Sequence, residues 1–222
     1  MGLRDLLANE GWAHGLRTAA VRGVRRYGRR MNGRVLGWSG SSLPLGSTVL
    51  GAAHIRVGDG FDAAQPVWLE AITAYGGERF DPEIVIGERF STSGRLHVST
   101  IDSVRIGDDC LFGSNVYIGD HGHGSYSGER QSTPEGAPRL RPLVSRGPVS
   151  IGHRCWLGDN VVVLQGVHIG DGAVIGANSV VTRDVPAGGI AVGSPAVTIR
   201  RFDSGSGSWG AVRARQETPG RG

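Results

Sequence analysis

The 222-residue chain has no lysine. All 24 of its basic residues are arginine, so an anion site here must be built from guanidinium groups, backbone amides or helix termini. It has only two cysteines, Cys110 and Cys155, which by number alone admit one disulfide or part of a metal site. It also lacks an unbroken apolar stretch of about 20 residues, the length a membrane-crossing helix needs. The longest uncharged run near the start, Val35–Ala53, is rich in Gly and Ser and contains Pro44. Arginines interrupt the first 30 residues throughout, so no secretory signal is read there, and a cytoplasmic location is expected. Despite the arginines, no RNA- or DNA-reading motif is present, and nucleic acid is set aside as a partner.

What charge there is lies unevenly. The chain is formally +4, yet residues 1–40 alone carry eight arginines against Asp5 and Glu10. Leu3, Leu6, Leu7, Trp12, Leu16, Ala20, Val24 and Tyr27 recur there at spacings mostly of three and four, which predicts an amphipathic helix. Such a helix over 1–40 suits a basic N-terminal cap on the domain that follows. Its arginines also suit a peripheral contact with an anionic membrane. At the other end, residues 202–222 contain a GSGSWG run and little apolar content, and they are expected to be a disordered tail.

Between these ends the chain is periodic. From Ile151 to Pro186 it reads IGHRCW, LGDNVV, VLQGVH, IGDGAV, IGANSV, VTRDVP. The first position is always aliphatic (Ile151, Leu157, Val163, Ile169, Ile175, Val181). The fifth is always small or β-branched (Cys155, Val161, Val167, Ala173, Ser179, Val185). An α-helix would need spacings of three and four and a plain strand spacing two, so the hexad predicts neither but a repeat architecture. Residues two apart on a strand share a face, so the fifth residue of one hexad and the first of the next both point inward, around a corner. Gly152, Gly158, Gly170 and Gly176 sit one step past the inward aliphatic, where a corner can require positive φ. Cys110 and Cys155 fall on the inward fifth position, which makes them buried, reduced thiols.

The same frame appears earlier at Ile106-Gly107, Phe112-Gly113 and Ile118-Gly119, and more weakly at Val57-Gly58 and Ile86-Gly87. The domain is therefore read as 41–201. The frame breaks after Ile118, and an excursion loop over 121–148 begins with the phrase DHGHGSYSG. Long excursions in compact domains are commonly functional, and a histidine titrates near neutral pH, where it can take a proton from a hydroxyl.

The hexad [Ile/Leu/Val]-Gly-x-x-[small]-x, the Asp-x-His phrase before the excursion and Gly-x-Pro-Ala at the close resemble the hexapeptide-repeat O-acetyltransferases of polysaccharide and sugar modification, a group that includes the maltose and galactoside acetyltransferases. The resemblance covers about half the chain, from Ile86 to Arg201. It implies an all-β solenoid: a left-handed, three-sided parallel β-helix. It also implies acetyl-CoA as co-substrate, a sugar or glycan acceptor, no metal, and a homotrimer with each active site between neighbouring subunits.

Residue by residue, the resemblance places the catalytic His five residues after an aliphatic rung. From Ile118 that is His123, with His121 close second and Asp120 available to orient an imidazole. Trp156 stands at the thioester end. Asp159, Ala177 and Thr182 match positions that contact CoA. Arg183 replaces a usual Lys, and Arg200 matches the basic residue near the close. Val197 stands where a Lys or Arg is expected, with Arg201 able to substitute. Ser93 takes the place of an acceptor-binding Asn, and Tyr126 lies in the excursion as a further acceptor contact. The implied reaction is direct transfer, the His removing the acceptor proton as the hydroxyl attacks the thioester.

Other readings compete. The acceptor group can be an amine on an amino sugar. A γ-type carbonic anhydrase shares the expected fold but needs three His around zinc. Of His14, His54, His97, His121, His123, His153 and His168, only His121 and His123 are close in sequence. A non-catalytic solenoid scaffold is the third alternative.

Overall fold

The computed structural model describes residues 33, 36–38, 40–129 and 131–212. The proposed N-terminal helix over 1–40 falls almost wholly outside these residues. Within them the fold is all-β, and the inward positions of the hexad are where alternation puts them. Leu157, Val163, Ile169 and Val181 are fully buried, as are Val161, Ala173 and Ser179. Cys110 and Cys155 are buried free thiols on the same inward rows.

Three sheets are visited in turn. The strands Ser103–Ile106, Leu111–Ser114 and Tyr117–Gly119 belong to a five-, an eight- and a six-stranded sheet respectively, and each pairs in parallel with the strand three positions earlier and, across the excursion, with a strand of the next coil. Val57, Ile86, Ile106, Ile151 and Ile169 form one continuous column of paired residues, so the weak early phrases lie in the same frame as the strong late ones. Between the sheets runs a single core of aliphatic side chains, widened near its start by Phe61, Phe90 and Phe112.

The corner glycines have a different cause from the one spacing suggested. Gly107, Gly113, Gly152, Gly158, Gly170 and Gly176 are not among the residues of positive φ. That conformation falls two residues later, at Asp109, Asn115, Arg154, Asn160, Gly172 and Asn178. The glycines are needed because the next turn of chain stacks directly on them. A Cβ on Gly158 would lie 2.7 Å from the backbone N of Ala177, and one on Gly152 2.7 Å from that of Asp171. Backbone cannot yield as a flexible side chain can. Gly158→Ala should therefore destabilise the chain by about 1–3 kcal/mol, the usual cost of overpacking. Gly136, with open space around it, should accept Ala with no loss or a slight gain. Thermal unfolding of the two variants checks this; equal midpoints would refute the stacking argument.

The C-terminal expectation needs correcting. Instead of starting a disordered tail at residue 202, the chain continues the strand Ala196–Asp203 and pairs it antiparallel with Ser208–Ala211. Phe202 and Trp209 meet edge-on at 5.3 Å, an apolar contact that low overall hydrophobicity concealed. The hairpin ends the eight-stranded sheet; residues 213–222 lie outside the described part.

Two insertions leave the stack at the same corner, between the six-stranded and the five-stranded sheet. The first, over 72–82, holds the hairpin of Ala74–Tyr75 with Glu78–Arg79. The second is the excursion, which is not simply a loop: His121–His123 pairs antiparallel with Leu143–Ser145, and Pro138–Leu140 forms a 3-10 turn. The two insertions touch where the Tyr75 hydroxyl donates to the Arg139 carbonyl.

Candidate active site

Asp120 follows directly on the Tyr117–Gly119 strand and is fully buried. Its carboxylate is met by the turn of the preceding coil. The Thr100 hydroxyl donates to it, as do the backbone N–H groups of Ile101 at 3.0 Å and Asp102 at 2.9 Å. The remaining partner is His121, whose Nδ1 lies 3.0 Å from Asp120 Oδ1. Burial alone would raise the carboxyl pKa, but the bonds from His121, Thr100 and the two amides outweigh it and hold Asp120 below the usual carboxylate range. The carboxylate is therefore ionised at neutral pH. An ionised Asp120 keeps a proton on His121 Nδ1, which leaves Nε2 to accept one. The His121 side chain is 9 % exposed, so its orientation is constrained on all sides but a narrow one.

His123 is placed differently. It is exposed, and its ring stands edge-on to Tyr75 with centroids 5.3 Å apart. The carboxylate is joined to the other histidine. Tyr126 gives its hydroxyl to the excursion itself: it donates to the His123 carbonyl at 2.6 Å and accepts from Arg141 at 2.7 Å.

A second feature lies on the eight-stranded sheet and the corner after it. Ser93, Leu111, Gly113, Trp156, Asp159 and Ala177 line a cleft of about 440 Å³. The structure thus brings together four residues that the family resemblance singled out separately: Ser93, Trp156, Asp159 and Ala177. Trp156 is 55 % exposed, a large indole left facing solvent. Asp159 also has a stacking task, since its Oδ1 accepts the Ser114 N–H at 2.6 Å. Asp108, Asp171 and Asp184 do the same one or more coils away, so this bond belongs to the repeat.

The remaining predicted residues do not converge on this cleft. Thr182 and Arg183 are exposed at the corner after Val180–Val181 in the six-stranded sheet. Arg200, opposite Ile190, and Arg201, opposite Gly189, lie on the antiparallel strand of the eight-stranded sheet. Val197 on that strand is also exposed. Among the described residues no three His, Cys, Asp or Glu converge as a metal site. No helix of the described residues is long and apolar enough to cross a membrane. Thr100, the hydroxyl partner of Asp120, was missed by sequence reasoning. It lies 20 residues before Asp120 and meets it only through coil stacking.

Comparison with known proteins follows the same lines. The family model described as the hexapeptide repeat of succinyl-transferase matches residues 103–120 and 148–183. WbbJ of Escherichia coli (strain K12), which carries the name of a lipopolysaccharide biosynthesis O-acetyl transferase, is 40% identical over 127 residues, 57% of this chain and 64% of its own length. The galactoside O-acetyltransferase of the same organism is 33% identical over 61% of each chain. The chain therefore spans less than two thirds of these relatives' lengths. Among solved structures, a variant of AntD, an N-acyltransferase from Bacillus cereus in complex with dTDP-4-amino-4,6-dideoxyglucose and coenzyme A, superposes with a TM-score of 0.58. It is 15% identical, covering 76% of this chain and 87% of that one, a likeness of fold.

Proposed function

We propose, for a chain that carries the hexapeptide repeat of the acyltransferases, that it is an acetyl-CoA-dependent O-acetyltransferase acting on a sugar hydroxyl in cell-surface polysaccharide or glycoconjugate synthesis. The observation that carries this reading is the buried Asp120 bonded to His121 at the mouth of the excursion. His121, rather than His123, is assigned as the general base. It removes the acceptor proton at Nε2 while the hydroxyl oxygen attacks the thioester carbon, and Asp120 stabilises the imidazolium that forms. CoA leaves as the thiol. Proton transfer and attack overlap because a sugar hydroxyl is too weak an acid to ionise first. Holding both substrates in register supplies further acceleration.

The cleft of Ser93, Trp156, Asp159 and Ala177 is assigned to acetyl-CoA, with Thr182, Arg183 and Arg200 toward its phosphates. A guanidinium fork suits phosphate oxygens, and the chain has no lysine to offer them. The excursion that carries His121 supplies no residue to this cleft. That separation supports a homotrimer in which one protomer's histidine faces another's cleft, and the hexad's resemblance to the acyltransferases carries the left hand of the β-helix. The free cysteines suit the reducing cytoplasm.

Purified protein with acetyl-CoA and a panel of glycosides should release thiol only when a hydroxyl acceptor is present, and an amino sugar in the panel separates O- from N-transfer. Light scattering should give about three times the 23.3 kDa chain mass. An active monomer would refute the shared site, and thiol release with no acceptor in the panel would refute the acceptor class.

A further inference from the structure

The outer face of the six-stranded sheet leads straight to His121. Its rows are set by register: Trp68 lies opposite His97 and His97 opposite Tyr117, while Glu70, Ser99 and Gly119 form the next row toward the corner. The Trp68 indole stacks on the His97 ring at 4.6 Å and 17°, and the Tyr117 ring meets His97 edge-on at 5.2 Å. Tyr117 lies over Gly119, where a Cβ would collide with its hydroxyl, so the aromatic row reaches the residue beside Asp120.

Three features mark this face as a place for a ligand. Trp68 is 44 % exposed, with one ring face held by His97. The His97 Nε2 is buried without a hydrogen-bond partner, an arrangement that costs free energy until a polar group reaches it. Glu70, held by the Ser99 hydroxyl at 3.4 Å, adds a partly exposed carboxylate. Beyond Tyr117 the same row continues as Val162 and Val180, so the aromatic plate stops at the Tyr117 strand, the one that runs on to His121. An aromatic plate flanked by hydrogen-bonding groups matches a pyranose ring, which has an apolar face and hydroxyls at its edge. These two rows hold no cationic side chain and one carboxylate, which disfavours an anionic ring.

Resting on the acyltransferase reading, we infer that Trp68, Glu70 and His97 form the acceptor subsite for a neutral sugar: the ring stacks on Trp68, its hydroxyls bond Glu70 and His97, and a further hydroxyl is presented to His121. Burial lowers the His97 pKa more than Glu70 raises it, with His121 lowering it further, so the imidazole is neutral and can pair with a hydroxyl.

Saturation-transfer NMR on the full chain with CoA present tests this, using methyl glycosides of galactose, glucose and mannose against methyl glucuronide. A neutral glycoside should bind and the glucuronide should not. Trp68→Ala should weaken neutral-sugar binding at least about 10-fold, as loss of a stacked ring does. Trp68→Phe should restore most of it, and CoA affinity should be unchanged in both. Unchanged sugar affinity in Trp68→Ala, preference for the glucuronide, no binding of any neutral glycoside, or a fall in oligomer mass on Trp68→Ala would each overturn the assignment, the last by making this face a subunit contact. Failure of the acyltransferase reading would show separately, as absence of CoA binding and thiol release in the unmodified protein.

Discussion

Replacing His121 with alanine is expected to lower turnover by about 10²–10⁴-fold, the usual contribution of a general base, with acetyl-CoA binding intact. The reason is geometric. Of the two histidines in DHGHG, only His121 is bonded to the buried carboxylate, which orients its ring. His123→Ala should cost far less, because its ring is exposed and packed edge-on to Tyr75. Steady-state kinetics on the two variants, with CoA affinity measured alongside, separates them. The opposite order would return the base to His123, where the register count from Ile118 put it. Equal activity of both variants with the unmodified protein would remove the general-base mechanism.

Asp120→Ala should reduce both stability and turnover. The Thr100 hydroxyl and the N–H groups of Ile101 and Asp102 all donate to this carboxylate. Without it they face a cavity unpaired, at about 1–3 kcal/mol for each group that stays dry. A loss of a few kcal/mol should lower the melting temperature by about 2–4 °C per kcal/mol in a chain of this size. Turnover should fall as well, since His121 loses its orienting partner. The pH dependence has a definite sign. The folded pKa of Asp120 is depressed, so its contribution is present in full above the ordinary carboxylate pKa of about 3.9 and is lost as pH falls through the folded value. The gap in stability between the native protein and Asp120→Asn should therefore be wide at neutral pH and narrow in acid. A gap that does not change with pH would mean that Asp120 is not charged in the folded chain.

The hexad by itself determined which residues are inside. Ile151, Leu157, Cys155 and Val161 could be assigned to the core from position alone, because alternation along a strand is a local property that each coil repeats. The site of the excursion was legible for the same reason: an interruption stands out against a strict period. The length of the period did not reveal why the corner residues are glycine. Their constraint comes from the backbone of the next coil, as at Gly158 against Ala177, and not from their own φ. Nor did it reveal the hairpin after residue 201, where a backbone ladder and the contact of Phe202 with Trp209 join the strands across the turn. The tie between Asp120 and His121 was also beyond it. A count from Ile118 points to His123, but the carboxylate is aimed by Thr100, Ile101 and Asp102 from a coil about 20 residues earlier. Contacts along a strand follow from order in the chain; contacts between coils follow only from how the coils stack, and the polar partners of this site are of the second kind.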